Sequence, residues 1–202
     1  RGRVMMFGAE TFHAAMAEIV VGTMVLATVC AVGCALIRYI PVSEDRGESL
    51  MITMDKASIA GASMALFFMP IAILSGNLAA DSVVGNALLY NKFVYSGLAL
   101  GFWAAFVVGR IRMGPGIWEV RTLALLQSGT AVTAFLMTTM ASSIGGKLVR
   151  GESLFDVLPI WFPSDSAVVL PIWASAALLV IGLTALFVVF KVGPRAERIS
   201  LD

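Results

Sequence analysis

Five apolar runs, each about as long as the hydrocarbon core of a bilayer is thick, constrain the fold of this 202-residue chain more than any other feature. They cover residues 14–37, 57–80, 93–109, 122–144 and 168–192. A helix needs about 20 apolar residues to cross a core of roughly 30 Å, whereas a membrane barrel uses shorter segments of alternating polarity. We therefore predict an all-α integral membrane protein, a bundle of about five transmembrane helices that forms one domain over residues 1–202.

The composition agrees with a lipid environment and excludes several other classes. Hydrophobic residues make up 59% of the chain and charged residues 13%, against about 25% charged residues in a typical soluble domain. The net charge of +1 gives no basic field for nucleic acid. Cys30 and Cys34 both lie inside the first apolar run, so they do not form a disulfide framework. The expected partners are the lipid bilayer and other membrane subunits.

Lysine and arginine residues near the ends of the spans predict the orientation, because cytoplasmic flanks are enriched in them. Five lie on the N-terminal side, namely Arg1, Arg3, Lys92, Lys147 and Arg150. Nine lie on the opposite side, namely Arg38, Arg46, Lys56, Arg110, Arg112, Arg121, Lys191, Arg195 and Arg198. The bias predicts an N-terminus outside and a cytoplasmic C-terminus, which agrees with five crossings.

The segment 147–167 joins the fourth and fifth spans and mixes apolar with acidic residues. Gly145 and Gly146 are expected to end the fourth helix just before it. Apolar or aromatic positions within the segment are Leu154, Phe155, Leu158, Ile160, Trp161 and Phe162, and the acidic ones are Glu152, Asp156 and Asp165. This pattern predicts an amphipathic segment that lies in the outer headgroup region.

Small residues recur every four positions along several spans. In the third span these are Gly97, Gly101, Ala105 and Gly109, and the second span contains Gly61 and Ala65. Small residues at this spacing share one helix face and let two backbones approach closely, which drives helix association in lipid. We interpret these faces as contacts within the bundle or with a partner helix. Close approach to a flat cofactor or pigment is the alternative interpretation.

Polar side chains are expected to gather at the outer ends of the spans. His13 and Glu18 open the first span, Asn77 and Asp81 close the second, and Lys92 begins the third. One interpretation is an ordinary interfacial girdle in which these groups reach water. The sharper hypothesis is a site that opens outward, formed by Glu18, Asn77, Asp81 and Lys92.

His13 is the only histidine of the chain. One imidazole can ligate haem iron on one side, so His13 is the candidate haem b ligand. A structural, hydrogen-bonded histidine is the simpler interpretation. No residue set in the sequence predicts a catalytic centre or a metal site.

Three short motifs carry a resemblance to a known group of proteins. They are Phe12-His13, the run from Gly76 to Asp81, and the run from Gly145 to Gly151. In these motifs the chain resembles an uncharacterised family of small four-helix prokaryotic membrane proteins, in which a histidine opens the first helix and a Gly-rich segment closes the fourth. The resemblance covers about residues 11–151 and leaves the fifth span unmatched. Family members typically carry more histidines, including one near the position of Lys92, and the resemblance implies no particular reaction.

Three functional hypotheses follow from these features. The first is a non-catalytic accessory subunit of a larger membrane complex of the respiratory or another redox type. The second is an electron-transfer subunit in which His13 ligates haem b or contacts a quinone. The third is a small-solute transporter that uses the outer polar site, although the chain shows no internal repeat that would favour it.

Overall fold

The computed structural model describes residues 8–79 and 86–157, together with the isolated positions 173, 176, 177, 180, 184, 187, 199 and 200. These residues form four long helices, α1 (Ala9–Leu36), α2 (Glu44–Ala79), α3 (Ala87–Met113) and α4 (Arg121–Arg150). Each helix is long and apolar enough to cross a membrane. The shortest, α3, has 27 residues and extends about 40 Å at 1.5 Å per residue. The predicted all-α architecture with membrane-spanning helices is therefore confirmed for four of the five spans.

All four helices begin before the apolar runs that predicted them. Helix α2 begins at Glu44, well before residue 57, and Glu44 and Asp45 lie in its first turn. Acidic side chains at this end interact favourably with the helix dipole, so the helix continues past the apolar residues. Short 3₁₀ helices, Ile37–Tyr39 and Pro115–Trp118, follow α1 and α3.

The prediction that Gly145 and Gly146 end the fourth helix is wrong. Helix α4 continues through both glycines to Arg150, and the cap is Gly151 in the left-handed conformation with φ of 74°. A glycine inside a helix costs about 1 kcal/mol relative to alanine, and the close packing on Gly145 and Gly146 accounts for their presence there. Only a glycine adopts the conformation of Gly151 without strain.

The fifth predicted span, 168–192, lies outside the described residues apart from a few isolated helical positions. These are Trp173, Ala176, Ala177, Val180, Thr184 and Phe187, all of them exposed. Of the predicted interfacial segment, 147–150 belong to α4 and Leu154–Val157 form a 3₁₀ helix. Residues 158–167 of that segment lie outside the described part of the chain.

The four helices alternate in direction and pack as two pairs. Helix α1 packs mainly against α2 and α3 against α4, and smaller contacts join α1 to α4 and α2 to α3. Alternation places the start of α1, the end of α2, the start of α3 and the end of α4 at one end of the bundle, here called the His13 end. The opposite end is called the Asp55 end. Polar side chains occupy the helix contacts near both ends.

Close backbone packing joins α1 to α2. Ala27 and Ala31 of α1 and Ala65 of α2 are fully buried. A Cβ atom placed on Gly61 of α2 would lie 2.8 Å from the Thr23 carbonyl oxygen of α1. The small residues of α2 therefore let the two backbones touch, which is how helices gain dispersion energy in lipid.

Candidate functional site

His13 lies at the contact between α1 and α2. Its Nδ1 is 3.2 Å from Ser75 Oγ, and Ser75 donates its own hydroxyl hydrogen to the Ala72 carbonyl at 3.1 Å. The Ser75 hydroxyl and Nδ1 of His13 are within hydrogen-bond distance, and the tautomer of the imidazole decides which of the two groups donates.

Two glycines make room for the polar side chains at the His13 end. A Cβ atom on Gly76 would lie 2.7 Å from Cε1 of His13, and one on Gly145 would lie 3.1 Å from Nζ of Lys92. The ammonium group of Lys92 is near enough to His13 to interact with it electrostatically. His13 of α1 and Lys92 of α3 therefore interact electrostatically, and each side chain packs closely against a glycine of a neighbouring helix.

The structure describes two further residues of the predicted outer site. Glu18 and Asn77 are exposed on the surfaces of α1 and α2, and Asp81 lies outside the described residues. Glu18 is five positions after His13, which places it on a different face of α1. Of the four residues predicted to form an outward-opening site, the described part of the structure brings only Lys92 next to His13.

The chemistry available at the His13 end is binding through one imidazole and one ammonium group. Among the described residues, no three His, Cys, Asp or Glu side chains form a cluster that could hold a metal ion. Haem ligation needs only one protein ligand on each side of the iron. His13 would supply one ligand to such an iron, and the described residues at this end form no multi-residue metal centre.

A buried ion pair lies at the opposite end and was missed by the sequence analysis. Asp55 of α2 is 2% exposed. Arg110 of α3 donates from Nε to Oδ1 at 2.6 Å and from Nη2 to Oδ2 at 2.5 Å. Trp118, also fully buried, donates from Nε1 to Asp55 Oδ1 at 2.6 Å. Three charge-assisted hydrogen bonds therefore converge on one carboxylate, the strong form of this interaction.

The Asp55 cluster, formed by Asp55, Arg110 and Trp118, joins α2, α3 and the connection from α3 to α4. Arg38, just after α1, donates to the Trp118 carbonyl and, at 3.1 Å, to the Glu119 carbonyl. These bonds fix the connection between α3 and α4 against the end of α1, while the ion pair joins α2 to α3. Because the Asp55 carboxylate and the Arg110 guanidinium neutralise each other, the cluster forms a buried link between helices.

One signal in the sequence could have predicted the Asp55 cluster. Asp55 lies two residues before the second apolar run and Arg110 one residue after the third. Ionisable residues at membrane depth usually pair with one another, and alternating helices place these two at the same end. From the sequence, Arg110 contributed only to the prediction of the membrane orientation.

Ile199 and Ser200 also lie at the Asp55 end. Ile199 donates its backbone N–H to the Met113 carbonyl, and its own carbonyl accepts from the Gly116 N–H, both at 2.9 Å. A Cβ atom on Gly116 would lie 2.4 Å from the Ser200 carbonyl oxygen. Gly116 therefore permits backbone contact between residues 199–200 and the connection from α3 to α4.

The chain was compared with protein-family models, curated proteins and solved structures. No protein-family model, curated protein or solved structure matches the chain.

Proposed function

We propose that the chain is a non-catalytic accessory subunit of a larger membrane protein complex and that α3 docks a helix of a neighbouring subunit. The observation that carries this proposal is the position of the small residues Gly97, Gly101 and Ala105. All three are exposed within the described part of the structure, and a Cβ atom on Gly97 or Gly101 would contact nothing within 4 Å there. A face suited to close helix packing is thus left uncovered by α1, α2 and α4.

The small residues Gly61 and Ala65 of α2 have the same spacing and are packed against another helix. Gly61 receives α1 at backbone contact, and Ala65 is fully buried. A lipid chain gains no additional packing energy at a glycine, whereas a second helix can pack closely along the whole row of small residues. A partner helix is therefore the occupant that fits the α3 face.

Replacing Gly101 by leucine tests this proposal. We expect the tagged wild-type chain, purified from its own membranes in mild detergent, to carry its partner subunit in constant ratio. The Gly101→Leu variant should retain about a tenth or less of that partner, since a branched side chain blocks close approach. Quantitative mass spectrometry of the purified material measures the ratio.

Gly22→Leu on α1 is the matched control, because Gly22 is also exposed with nothing near its Cβ position among the described residues. It should retain the partner. A wild-type chain that purifies alone would contradict the proposal. So would a loss of thermal stability in the isolated Gly101→Leu chain, because that result would assign the face to a contact within the protein itself.

We further propose that the chain crosses the membrane five times, with the N-terminus outside. Support comes from Ile199, which bonds to Met113 and Gly116 at the Asp55 end, whereas α4 finishes at Arg150 at the His13 end. The positions of Arg150 and Ile199 at opposite ends of the bundle support one further crossing between them. The lysine and arginine bias favours the cytoplasm for the Asp55 end.

Single cysteines at residues 153 and 200 test this threading in a background that lacks Cys30 and Cys34. In intact cells a membrane-impermeant maleimide should label Ser153→Cys and leave Ser200→Cys unlabelled until the membrane is opened. Labelling of both positions in intact cells would exclude the odd number of crossings.

Membership of a respiratory or other redox complex is the narrower form of the proposal, and His13 supports it. The hydrogen bond between its Nδ1 and Ser75 holds the ring in place, and Nε2 is the nitrogen that would bind a haem iron or a quinone oxygen. A reduced-minus-oxidised absorbance spectrum of the purified complex tests the haem form. A haem b signal that is lost in His13→Ala supports it, and a signal that persists in that variant rules out His13 as the ligand.

A further inference from the structure

A groove of about 270 Å³ runs between α1 and α4 toward the His13 end. Its part nearest the middle of the bundle is apolar and is lined by Val25 of α1 and Phe135 of α4, with Val21 one turn nearer the His13 end. Its part nearest the His13 end is rich in hydroxyl groups and ends at the Arg150 guanidinium. The remaining lining residues are Thr138, Thr139, Ser142, Ser143, Gly146, Arg150, Ser153 and Leu154. The polarity of the groove therefore increases from the middle of the bundle toward its end.

The upper wall of the groove is held in place by the chain that follows α4. Gly151 reverses the backbone in the left-handed conformation. Asp156 accepts from the Ser153 N–H at 2.7 Å and from Lys147 Nζ at 3.2 Å, and these bonds lower the pKa of the Asp156 carboxyl, so it stays ionised. Ser153 and Leu154 are thus positioned before any ligand binds.

Ser143 supplies a hydroxyl group with no partner. It is 4% exposed, and its Oγ makes no hydrogen bond in the described part of the structure. By contrast, Thr138 and Thr139 donate to the carbonyls of Ala134 and Phe135, four residues earlier. A buried hydroxyl without a partner costs its desolvation, so Ser143 is the group in the groove that gains most from a ligand oxygen.

Arg150 supplies a positive charge where the groove opens at the His13 end. Its Nη2 lies over Gly146, where a Cβ atom would come within 2.9 Å. No carboxylate among the described residues pairs with Arg150, whereas Lys147 is paired with Asp156. Glu18 is exposed on α1 one turn before Val21 but does not line the groove. Glu152 is exposed beside Arg150, and its backbone carbonyl also lies at Gly146, but its side chain does not line the groove. Among the described residues, Arg150 is the one charged side chain in the lining, so the lining favours an anion.

We propose that this groove binds an anionic phospholipid, with its phosphate on Arg150, its glycerol or ester oxygens at Ser143, and an acyl chain against Val21 and Val25. Gly146, under the guanidinium, lies about one helical turn above Ser143, which matches the order of phosphate, ester and acyl chain. Arginine binds phosphate through paired, charge-assisted hydrogen bonds. Val29, 65% exposed on α1, continues the apolar surface beyond the groove for the rest of the chain.

The test compares phosphatidylglycerol with phosphatidylcholine of the same acyl chains, added to the delipidated full-length chain in detergent. Native mass spectrometry measures the bound fraction. Wild type should bind phosphatidylglycerol about tenfold more tightly, and Arg150→Ala should remove most of that preference. Arg121→Ala, an exposed arginine at the other end of α4, should leave it unchanged.

Ser143→Ala separates a ligand contact from a structural role. Without lipid its melting temperature should equal or exceed that of wild type, because the substitution removes an unpartnered buried hydroxyl. Its affinity for phosphatidylglycerol should nevertheless fall several-fold. Water-soluble glycerol phosphate at the same concentration should not displace the lipid, since it lacks the acyl chain.

Three outcomes would overturn the proposal. One is equal binding of the two lipids by wild type. Another is an equal loss of preference in Arg150→Ala and Arg121→Ala. The third is full displacement of phosphatidylglycerol by glycerol phosphate, which would make the groove a site for a free phosphate ester.

Discussion

Asp55→Ala should lower the free energy of unfolding by about 3–5 kcal/mol, the largest effect expected from a single substitution in this chain. The carboxylate accepts from Arg110 and Trp118 and is almost completely buried. Removing it leaves the Arg110 guanidinium, 12% exposed, without its counter-charge. An uncompensated cation in a low-dielectric environment is costly, so the loss exceeds the net value of the ion pair itself. Unfolding by denaturing detergent in mixed micelles, followed by circular dichroism, measures the change.

A second substitution distinguishes the unpaired charge from a general loss of packing. Asp55→Leu combined with Arg110→Met should recover most of the stability, because apolar pairs of similar volume often replace a buried ion pair without loss. Arg121→Ala should change the stability by less than about 0.5 kcal/mol, as expected for an exposed surface position. If the double variant is as unstable as Asp55→Ala, the unpaired cation is not the cause.

Gly61→Ala should destabilise the bundle by about 1–3 kcal/mol, the usual cost of overpacking. The added methyl group would lie 2.8 Å from the Thr23 carbonyl oxygen and 3.4 Å from the Ala27 Cβ. The obstacle is backbone that cannot rotate away, so α1 and α2 must separate and lose contact along the whole interface. The same unfolding experiment measures the change.

Gly22→Ala is the control for the change in helix propensity. Its Cβ position has nothing within 4 Å among the described residues, so it should be neutral or raise stability by up to about 1 kcal/mol. A Gly61→Ala variant as stable as Gly22→Ala would show that the two backbones are farther apart than described.

The sequence predicted the helices well where the evidence was their length and apolarity. Four apolar runs lie inside α1 to α4, to within one residue at the ends of the first two, because a run of that length has one favourable structure in lipid. The helix ends were predicted less well. Gly145 and Gly146 resembled a stop signal, but local glycine preference was outweighed by packing, which places Gly145 under Lys92.

The polar residues show a similar division. The sequence placed His13, Glu18, Asn77 and Lys92 at one end of the bundle, since alternating helices leave little choice. It could not determine which of them face one another, because that depends on the rotation of each helix about its axis. Rotation turned His13 toward Ser75 and left Glu18 and Asn77 exposed.

The transfer of apolar side chains from water to lipid depends on composition and length along the chain, so the sequence by itself determined the membrane class, the α-helical fold and the approximate span positions. Contacts between helices depend on distances and rotations that no single segment encodes. Tertiary structure alone therefore decided that Asp55 pairs with Arg110, that the Gly61 face is covered while the Gly101 face is open among the described helices, and that Ser143 and Arg150 share one groove.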